Sequence, residues 1–144
     1  MKNKINFYKD IILRISENSE CLSGTKVGAV ITLDNRIIAE GWNSPPKKCN
    51  AEDCYRCNNK HESGKNIETI LCQHAEQGAI ATAAYAGISL KKGAELYCTH
   101  KPCSSCATLI VHSGIKKVYY INDYVSVYTD IIFKKAGIKC LKIE

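Results

Sequence analysis

The feature that most constrains the fold is a regular alternation of helical and strand patterns, which follows an N-terminal helix and a hairpin. Apolar residues recur at helical spacing near the N-terminus, and two apolar runs joined by Asp34-Asn35 predict the hairpin. The predicted helices cover residues 5–18, 74–86, 103–112 and 125–136, and the predicted strands cover 26–33, 36–42, 95–99, 117–121 and 138–143. This order predicts an α/β fold with helices on both faces of one sheet, a three-layer α/β/α sandwich.

Length and composition are those of one ordinary globular domain. The 144 residues are 45% hydrophobic and 24% charged, so we expect a single domain over residues 1–144. The first residues contain neither the apolar core of a signal peptide nor a membrane span, which predicts a cytoplasmic protein and no membrane partner. The net charge of +6 comes from scattered lysines. It suits a phosphorylated small molecule and gives no basic stripe for nucleic acid.

Two short motifs at predicted helix starts offer ligands for one metal ion. His-Ala-Glu at 74–76 opens one helix, and Pro-Cys-Ser-Ser-Cys at 102–106 opens the next. Cysteines three apart on a helix share a face, and proline fits a first turn because no amide hydrogen is needed there. His74, Cys103 and Cys106 together suit zinc with its fourth position open for catalysis.

Glu76 has a different part in this arrangement. It lies two residues from His74, and side chains two residues apart on a helix do not point to the same face. We therefore expect Glu76 to flank the metal as a proton shuttle and not to bind it. A purely structural zinc knot is the alternative, but such a site would need a fourth protein ligand.

The two motifs together resemble the signature of the zinc-dependent cytidine and deoxycytidylate deaminase superfamily. Segments 26–30, 41–43, 96–103 and 118–124 are also similar to its deoxycytidylate branch. The resemblance implies the mixed five-stranded sheet of the cytidine deaminase-like fold. It also implies an activity: zinc activates a water molecule, Glu76 moves its proton, and dCMP is hydrolysed to dUMP and ammonia. Members of the superfamily form dimers or hexamers, so we expect a homo-oligomer.

Two other functions remain open at this point. A deaminase of the same fold could act on another base, such as free cytidine, guanine, a riboflavin precursor or adenosine in transfer RNA. A catalytically silent module that binds zinc and nucleotides is the second alternative, against which the intact Glu76 argues.

Four residues are candidate substrate contacts: Lys26, Asn43, Ala75 and Tyr124. Asn43 matches the superfamily position that contacts the sugar or base, and Tyr124 matches the aromatic residue that packs on the pyrimidine. The backbone amide of Ala75 can bind the base carbonyl because the first amides of a helix lack internal partners. Lys26 is a candidate phosphate contact by its position alone.

The loop after the hairpin departs from the superfamily pattern Gly-Tyr-Asn-Gly. Trp42 replaces the tyrosine and Ser44 replaces the last glycine. In several members this loop takes part in feedback control by deoxynucleoside triphosphates. The departure argues against such control here, and against Mg²⁺ bound with a nucleotide effector.

A second group of cysteines lies in an insert at about 45–72. Cys54 and Cys57 form a Cys-x-x-Cys pair, with Cys49 before them and Cys72 after them, and four thiolates at this spacing suit a closed structural zinc site. Disulfides are the main alternative, and His61 could replace one cysteine. The other cysteines, among them Cys21, are interpreted as core residues.

Overall fold

The computed structural model describes residues 2–59, 65, 70–90 and 93–144, and these form a single five-stranded sheet with helices on both faces. The helices are α1 Lys2–Ser16, α2 Tyr55–Asn58, α3 Ala75–Tyr85, α4 Ser104–Ser113 and α5 Thr129–Ala136; a 3₁₀ turn covers Ala51–Asp53. The strands are β1 Gly28–Leu33, β2 Arg36–Trp42, β3 Glu95–His100, β4 Lys117–Asn122 and β5 Lys139–Lys142. Their order is β2-β1-β3-β4-β5. The predicted α/β fold is confirmed.

The sheet is mixed because the hairpin precedes the helix and strand alternation. β1 pairs antiparallel with β2 and with β3, whereas β3, β4 and β5 run parallel. Asp34 and Asn35 both have positive φ, as a tight hairpin turn with the right-handed strand twist requires. The parallel part places the C-terminal end of β3 directly before α4, whose start carries two of the candidate ligands.

Successive strand residues supply two separate cores, one on each face. On β3, Leu96 and Cys98 join the core beneath α3, α4 and α5, while Tyr97 joins the smaller core beneath α1. β4 repeats this with Val118 on the first face and Tyr119 on the second. This two-residue period is what a strand buried on both faces produces.

Helix α3 lies directly on β2, with one glycine at the closest approach. A Cβ atom on Gly41 would lie well inside van der Waals contact with the carbonyl oxygen of Ala75 and the amide nitrogen of Ala79. The absent side chain therefore allows the first turn of α3 to rest against the backbone of β2, which fixes the helix that carries His74 and Glu76.

The start of α5 differs from the predicted position. The sequence predicts a helix from residue 125, but α5 begins at Thr129, and Val125 is 95% exposed. The Thr129 hydroxyl donates to the carbonyl of Pro102 at 2.9 Å, and Ser126 bonds Ser104 at 2.9 Å. These contacts tie the segment to the start of α4 and hold it out of helical geometry.

No helix in the described ranges is long and apolar enough to cross a membrane.

Candidate metal and catalytic site

Two helix starts bring the first candidate site together. His74 immediately precedes α3, and its amide donates to Oε1 of Gln77 at 2.8 Å, so the Gln77 side chain caps the start of α3. Cys103 immediately precedes α4 and its carbonyl accepts from the Ala107 amide at 2.8 Å. Both ends point amide hydrogens and the positive end of the helix dipole towards the same region, which favours thiolates there.

The three expected ligands lie within reach of one ion. Nδ1 of His74 is 3.5 Å from Sγ of Cys103 and 3.3 Å from Sγ of Cys106. All three ligand atoms lie within 4.8 Å of one another. Tetrahedral zinc separates an imidazole nitrogen from a thiolate sulfur by about 3.5 Å, so the donor set and the spacing fit zinc.

Glu76 lies beside this group and is almost completely buried. Its side chain is 4% exposed, and Oε2 is 3.8 Å from Sγ of Cys106. Burial raises the pKa of the Glu76 carboxyl above its usual range, against the opposing charge of His74. A carboxyl with a raised pKa next to an open metal position can both accept and return a proton.

The two thiols of α4 differ in their ease of ionisation. A hydrogen bond from Cys106, with burial opposing and His74 assisting, lowers the pKa of Cys103 to about 4. The hydrogen bond to Cys103 and then burial raise the pKa of Cys106. Cys103 is therefore the more easily ionised of the two thiols, and a bound cation would favour ionisation of both.

The group opens into a cleft of about 300 Å³, large enough for a small ligand. Three of the four expected substrate contacts, Asn43, Ala75 and Tyr124, line it together with His74 and Glu76. Lys26 does not: its side chain is exposed, and it is the neighbours Thr25 and Val27 that line the cleft. A phosphate contact at Lys26 stays a prediction.

The side chain of Asn43 holds one wall of the cleft. Its Oδ1 accepts from the Val27 amide at 2.8 Å and its Nδ2 donates to the Thr25 carbonyl at 2.7 Å. Ser44, which stands where the superfamily has glycine, exchanges backbone hydrogen bonds with Gln73 at 2.8 and 3.3 Å. Both contacts fix loops that border His74.

One lining residue was not anticipated from the sequence. Arg56, on α2 of the insert, is 8% exposed and lines the cleft. Only its place between Cys54 and Cys57 could have drawn attention to it, because nothing in the local sequence indicates that its side chain reaches the cleft.

Four cysteines gather in a second group, but they are not the expected four. Cys54, Cys57 and Cys72 are at most 3% exposed and pack together with Cys21. Sγ of Cys57 lies 3.1 Å from Sγ of Cys21 and 3.9 Å from Sγ of Cys72. The structure does not bring Cys49 here; it lines a separate cavity beside Trp42 and Tyr85. Cys21, interpreted from the sequence as a core residue, takes the place expected for Cys49.

The cysteines of this second cluster differ in the pKa of their thiols because their neighbours differ. Burial raises the pKa of the Cys54 thiol, but backbone hydrogen bonds from Cys57, Cys72 and Leu71 outweigh it and lower the pKa to about 6. Burial and the neighbouring Cys21 and Cys54 raise the pKa of Cys57 to about 12. None of the nine cysteines of the chain forms a disulfide. The alternative ligand His61 lies outside the described residues.

The fold and the first site define a class of protein. Residues 2–122 match the model of the cytidine and deoxycytidylate deaminase zinc-binding region, and the chain belongs to this family. The matched segment contains His74, Glu76, Cys103 and Cys106.

Several of the relatives that it resembles are deoxycytidylate deaminases. It is 33% identical to that of Schizosaccharomyces pombe over 138 residues, 93% of this chain and 42% of the fungal protein. It is 33% identical to that of phage T4, covering 90% of this chain and 84% of the phage protein. The chain thus spans less than half the length of the fungal relative.

Solved structures show the same fold. The dCMP deaminase of cyanophage S-TIM5 in its apo form superposes with a TM-score of 0.76 at 30% identity, covering 99% of this chain and 98% of the phage chain. The same enzyme in complex with dCMP and dUMP gives a TM-score of 0.75, also at 30% identity, over 96% of this chain and 95% of that one.

Proposed function

We propose that this chain is a zinc-dependent deaminase that hydrolyses dCMP to dUMP and releases ammonia. The observation that carries the proposal is that the ligand atoms of His74, Cys103 and Cys106 lie within 4.8 Å of one another beside the buried carboxyl of Glu76. His74, Cys103 and Glu76 line one cleft. Similarity along nearly the whole length of a phage enzyme solved with dCMP and dUMP supports dCMP as the substrate.

Four side chains would carry the chemistry. His74, Cys103 and Cys106 would hold the metal, and zinc bound there would supply the acidified water that attacks C4 of cytosine. Glu76 would accept a proton from that water and deliver it to N3 of the ring, where the proton stays. It would then carry the second water proton, from the hydroxyl added at C4, to the amino group, which leaves as ammonia. Its burial keeps competing water away from the carboxyl.

The remaining lining residues would orient the pyrimidine. The amide of Ala75, in the first turn of α3, lacks a partner within the helix and would donate to the base carbonyl. Tyr124 would pack on the ring. Asn43 would contact the sugar with the remaining hydrogen of its amide group, since its other polar atoms hold Thr25 and Val27.

A second, closed zinc site forms part of the proposal. Its ligands would be Cys21, Cys57 and Cys72, whose sulfur atoms all lie within 4.8 Å of one another, together with Cys54, which is buried in the same cluster. Four thiolates would complete a tetrahedral zinc site. Cys72 is two residues from His74, so the site would attach the insert to the start of α3. Thiolate ligands need a reducing compartment, which supports a cytoplasmic location.

No Mg²⁺ and no triphosphate effector enter the proposal. The Ser44 hydroxyl accepts from Nε2 of Gln73 at 3.2 Å. The backbone amide of Ser44 also donates to the Gln73 carbonyl, and the Ser44 carbonyl accepts from the Gln73 amide. This loop is therefore bonded to the segment that precedes His74, a contact that a glycine could make only through its backbone.

A homo-oligomer is the assembly that we propose. Around the start of α5, four apolar side chains are 49–95% exposed: Val125, Val127, Tyr128 and Ile131. Apolar residues grouped in this way are typical of an interface between protein chains. Light scattering on the purified protein measures the assembly, and a monomer at micromolar concentration would contradict it.

An ammonia-release assay on the purified zinc-loaded protein tests the activity. The substrates are dCMP, dCTP, deoxycytidine, cytidine, CMP, guanine and adenosine. We expect dCMP to give the highest kcat/KM. Turnover of guanine or adenosine without turnover of dCMP would overturn the proposal.

A further inference from the structure

His100 belongs to the cleft but has no part in the chemistry proposed above. It ends β3, its ring is half-buried, and it lines the cleft together with Glu76 and Tyr124. The alternation of strand residues places it on the same face as Leu96 and Cys98, which is the face that α3 and α4 cover. Its side chain therefore lies on the side of the sheet that carries the candidate metal ligands.

The hydrogen bonds of Thr99 determine which ring nitrogen of His100 carries the hydrogen. The Thr99 hydroxyl oxygen accepts from the Gly28 amide at 3.1 Å and lies 3.0 Å from Nδ1 of His100. Thr99 is 1% exposed, and a buried hydroxyl hydrogen without an acceptor is costly. Among the described residues Nδ1 of His100 is the acceptor in contact with this hydroxyl. The hydroxyl therefore donates to Nδ1, and the ring hydrogen lies on Nε2.

The Nε2–H group of His100 is a neutral donor available to a ligand. Burial lowers the pKa of His100 below its ordinary value, so the ring is uncharged near neutral pH. Within the part of the chain that the structure describes, the hydrogen bond of His100 is made through Nδ1, and Nε2 has no partner. A polar group of this kind in a cleft fixes the orientation of what binds there.

The position of His100 along β3 favours the sugar of a bound nucleotide over its base. Cys98 shares a core with Ala75 at the start of α3, and His100 lies two residues further along the strand, about 7 Å away. Cys98 is fully buried, whereas His100 is partly exposed, so the strand leads outward. In a cytosine nucleotide, N1 carries the sugar and lies across the ring from the reacting C4. A base with C4 at the metal therefore directs its sugar towards the more exposed part of the cleft.

The charges near the end of β3 favour a neutral acceptor on that sugar. Nζ of Lys101 is 2.8 Å from Oδ1 of Asp130, and Asp123, which lines the cleft, forms an ion pair with Lys142. These charges offset one another. A neutral donor among paired charges suits a hydroxyl oxygen better than a phosphate, which binds most strongly to charged donors.

We propose that Nε2–H of His100 donates a hydrogen bond to the 3′-hydroxyl oxygen of the deoxyribose, and that Thr99 is the positioning residue that keeps the hydrogen on Nε2. The inference rests on the proposed function and adds a specificity contact to it. A nucleotide without the 3′-hydroxyl loses this contact although its reacting base is unchanged.

The kinetic test uses two substitutions that keep different parts of the imidazole. Asparagine can accept from Thr99 near the position of Nδ1 but does not reach the position of Nε2, whereas glutamine can place an N–H donor there. We expect His100→Asn to lower kcat/KM about 5- to 10-fold for dCMP and less than about twofold for 2′,3′-dideoxycytidine monophosphate. His100→Gln should keep dCMP within about threefold of the native value. His112→Asn, at an exposed histidine of α4, is the control and should change neither substrate.

Calorimetry gives the same comparison without turnover. His100→Asn should bind dUMP about 5- to 10-fold more weakly, bind 2′,3′-dideoxyuridine monophosphate as the native protein does, and retain the native zinc content. Equal losses for both ligands, or no loss for dUMP, would overturn the inference. Native protein that does not deaminate dCMP would instead overturn the proposed function.

Nitrogen-15 NMR of the histidine rings measures the tautomer directly, with His100→Asn to assign the signal. We expect the native ring of His100 to carry its hydrogen on Nε2, Thr99→Val to populate both tautomers, and Thr99→Ser to restore the native one. A native ring with its hydrogen on Nδ1 would show that Thr99 accepts from His100. Nε2 would then be unable to donate, and the inference would be wrong.

Discussion

Glu76 combines two properties that the proposed chemistry needs: it is 4% exposed, and it lies beside the three candidate metal ligands without being one of them. Glu76→Gln keeps the size of the side chain but removes its ability to accept a proton. We expect kcat for dCMP to fall by about 1000-fold or more, with zinc content unchanged. Ammonia release and metal analysis on the same preparation measure both.

Exposed Glu52 supplies the control for this variant. Glu52→Gln makes the same chemical change away from the cleft and should leave kcat unaltered. Activity of Glu76→Gln within tenfold of the native value would show that another group moves the proton.

Cys21 and Cys49 allow the second metal site to be tested by a matched pair of substitutions. Cys21 packs with Cys54, Cys57 and Cys72, whereas Cys49 lies in another cavity. We expect Cys21→Ser to reduce zinc from about two to about one per chain and to lower Tm, because the three remaining thiolates cannot complete a four-coordinate zinc site. Cys49→Ser should retain both. Loss of zinc from Cys49→Ser but not from Cys21→Ser would instead support the four ligands expected from the sequence, with Cys49 among them.

Spacing along the chain could not distinguish these two cysteines. Cys49 is close to the Cys-x-x-Cys pair in sequence, while Cys21 is 36 residues from Cys57. Tertiary contacts decide the matter: the Ser19 hydroxyl donates to the Asn43 carbonyl at 3.0 Å, which draws the loop after α1 towards the insert. His74, Glu76, Cys103 and Cys106, by contrast, were identified because each pair is local and stands at a helix start.

At the level of elements, the contact between β2 and α3 positions the candidate catalytic helix. We expect Gly41→Ala to lower the free energy of unfolding by about 3 kcal/mol, because a methyl group there would overlap backbone atoms of Ala75 and Ala79, which cannot rotate away. The displaced helix start should also lower kcat. Urea unfolding and the ammonia assay measure the two effects.

Ala84→Gly separates this packing effect from a change in helix propensity. Ala84 is exposed on α3, so the substitution should cost about 1 kcal/mol and leave kcat within about twofold. A similar small loss for Gly41→Ala, with native kcat, would mean that the close approach is not required for the site.

The sequence predicted the bounds of an element correctly where local residues determine them. It failed where a hydrogen bond from a distant hydroxyl group determines them. The hairpin around Asp34-Asn35 and the stop of α5 at Gly137, which has φ of 70°, follow from residues that tolerate positive φ. The start of α5 was placed four residues early, since the bond from Thr129 to the Pro102 carbonyl spans 27 residues and has no local signature.

At the scale of the whole molecule, the buried apolar side chains of the described residues form three clusters. One core lies beneath α3, α4 and α5, a second lies beneath α1, and the third consists of the cysteine cluster with Ile70 and Leu71. The two-residue alternation of the strands made the first two predictable. The third was only partly predictable because its members come from separate segments of the chain.

This division predicts what removal of metal would do. A strong chelator in excess should withdraw zinc from both proposed sites and abolish ammonia release, since His74, Cys103 and Cys106 would lose the ion that acidifies water. The far-UV circular dichroism should persist, because the two apolar cores contain none of the cysteine cluster. The insert should become the preferred site of limited proteolysis, with cuts between residues 45 and 72, because its few apolar residues cannot hold it without metal.

Mass analysis of the fragments, with a zinc-repleted sample as control, locates the cuts and shows whether the change is reversible. Addition of zinc should restore both protection and activity. Cooperative loss of the far-UV signal on chelation would mean that the cysteine cluster supports the sheet itself. Unchanged protease sensitivity would mean that the insert is held by contacts other than metal, and the second site would then have no structural role.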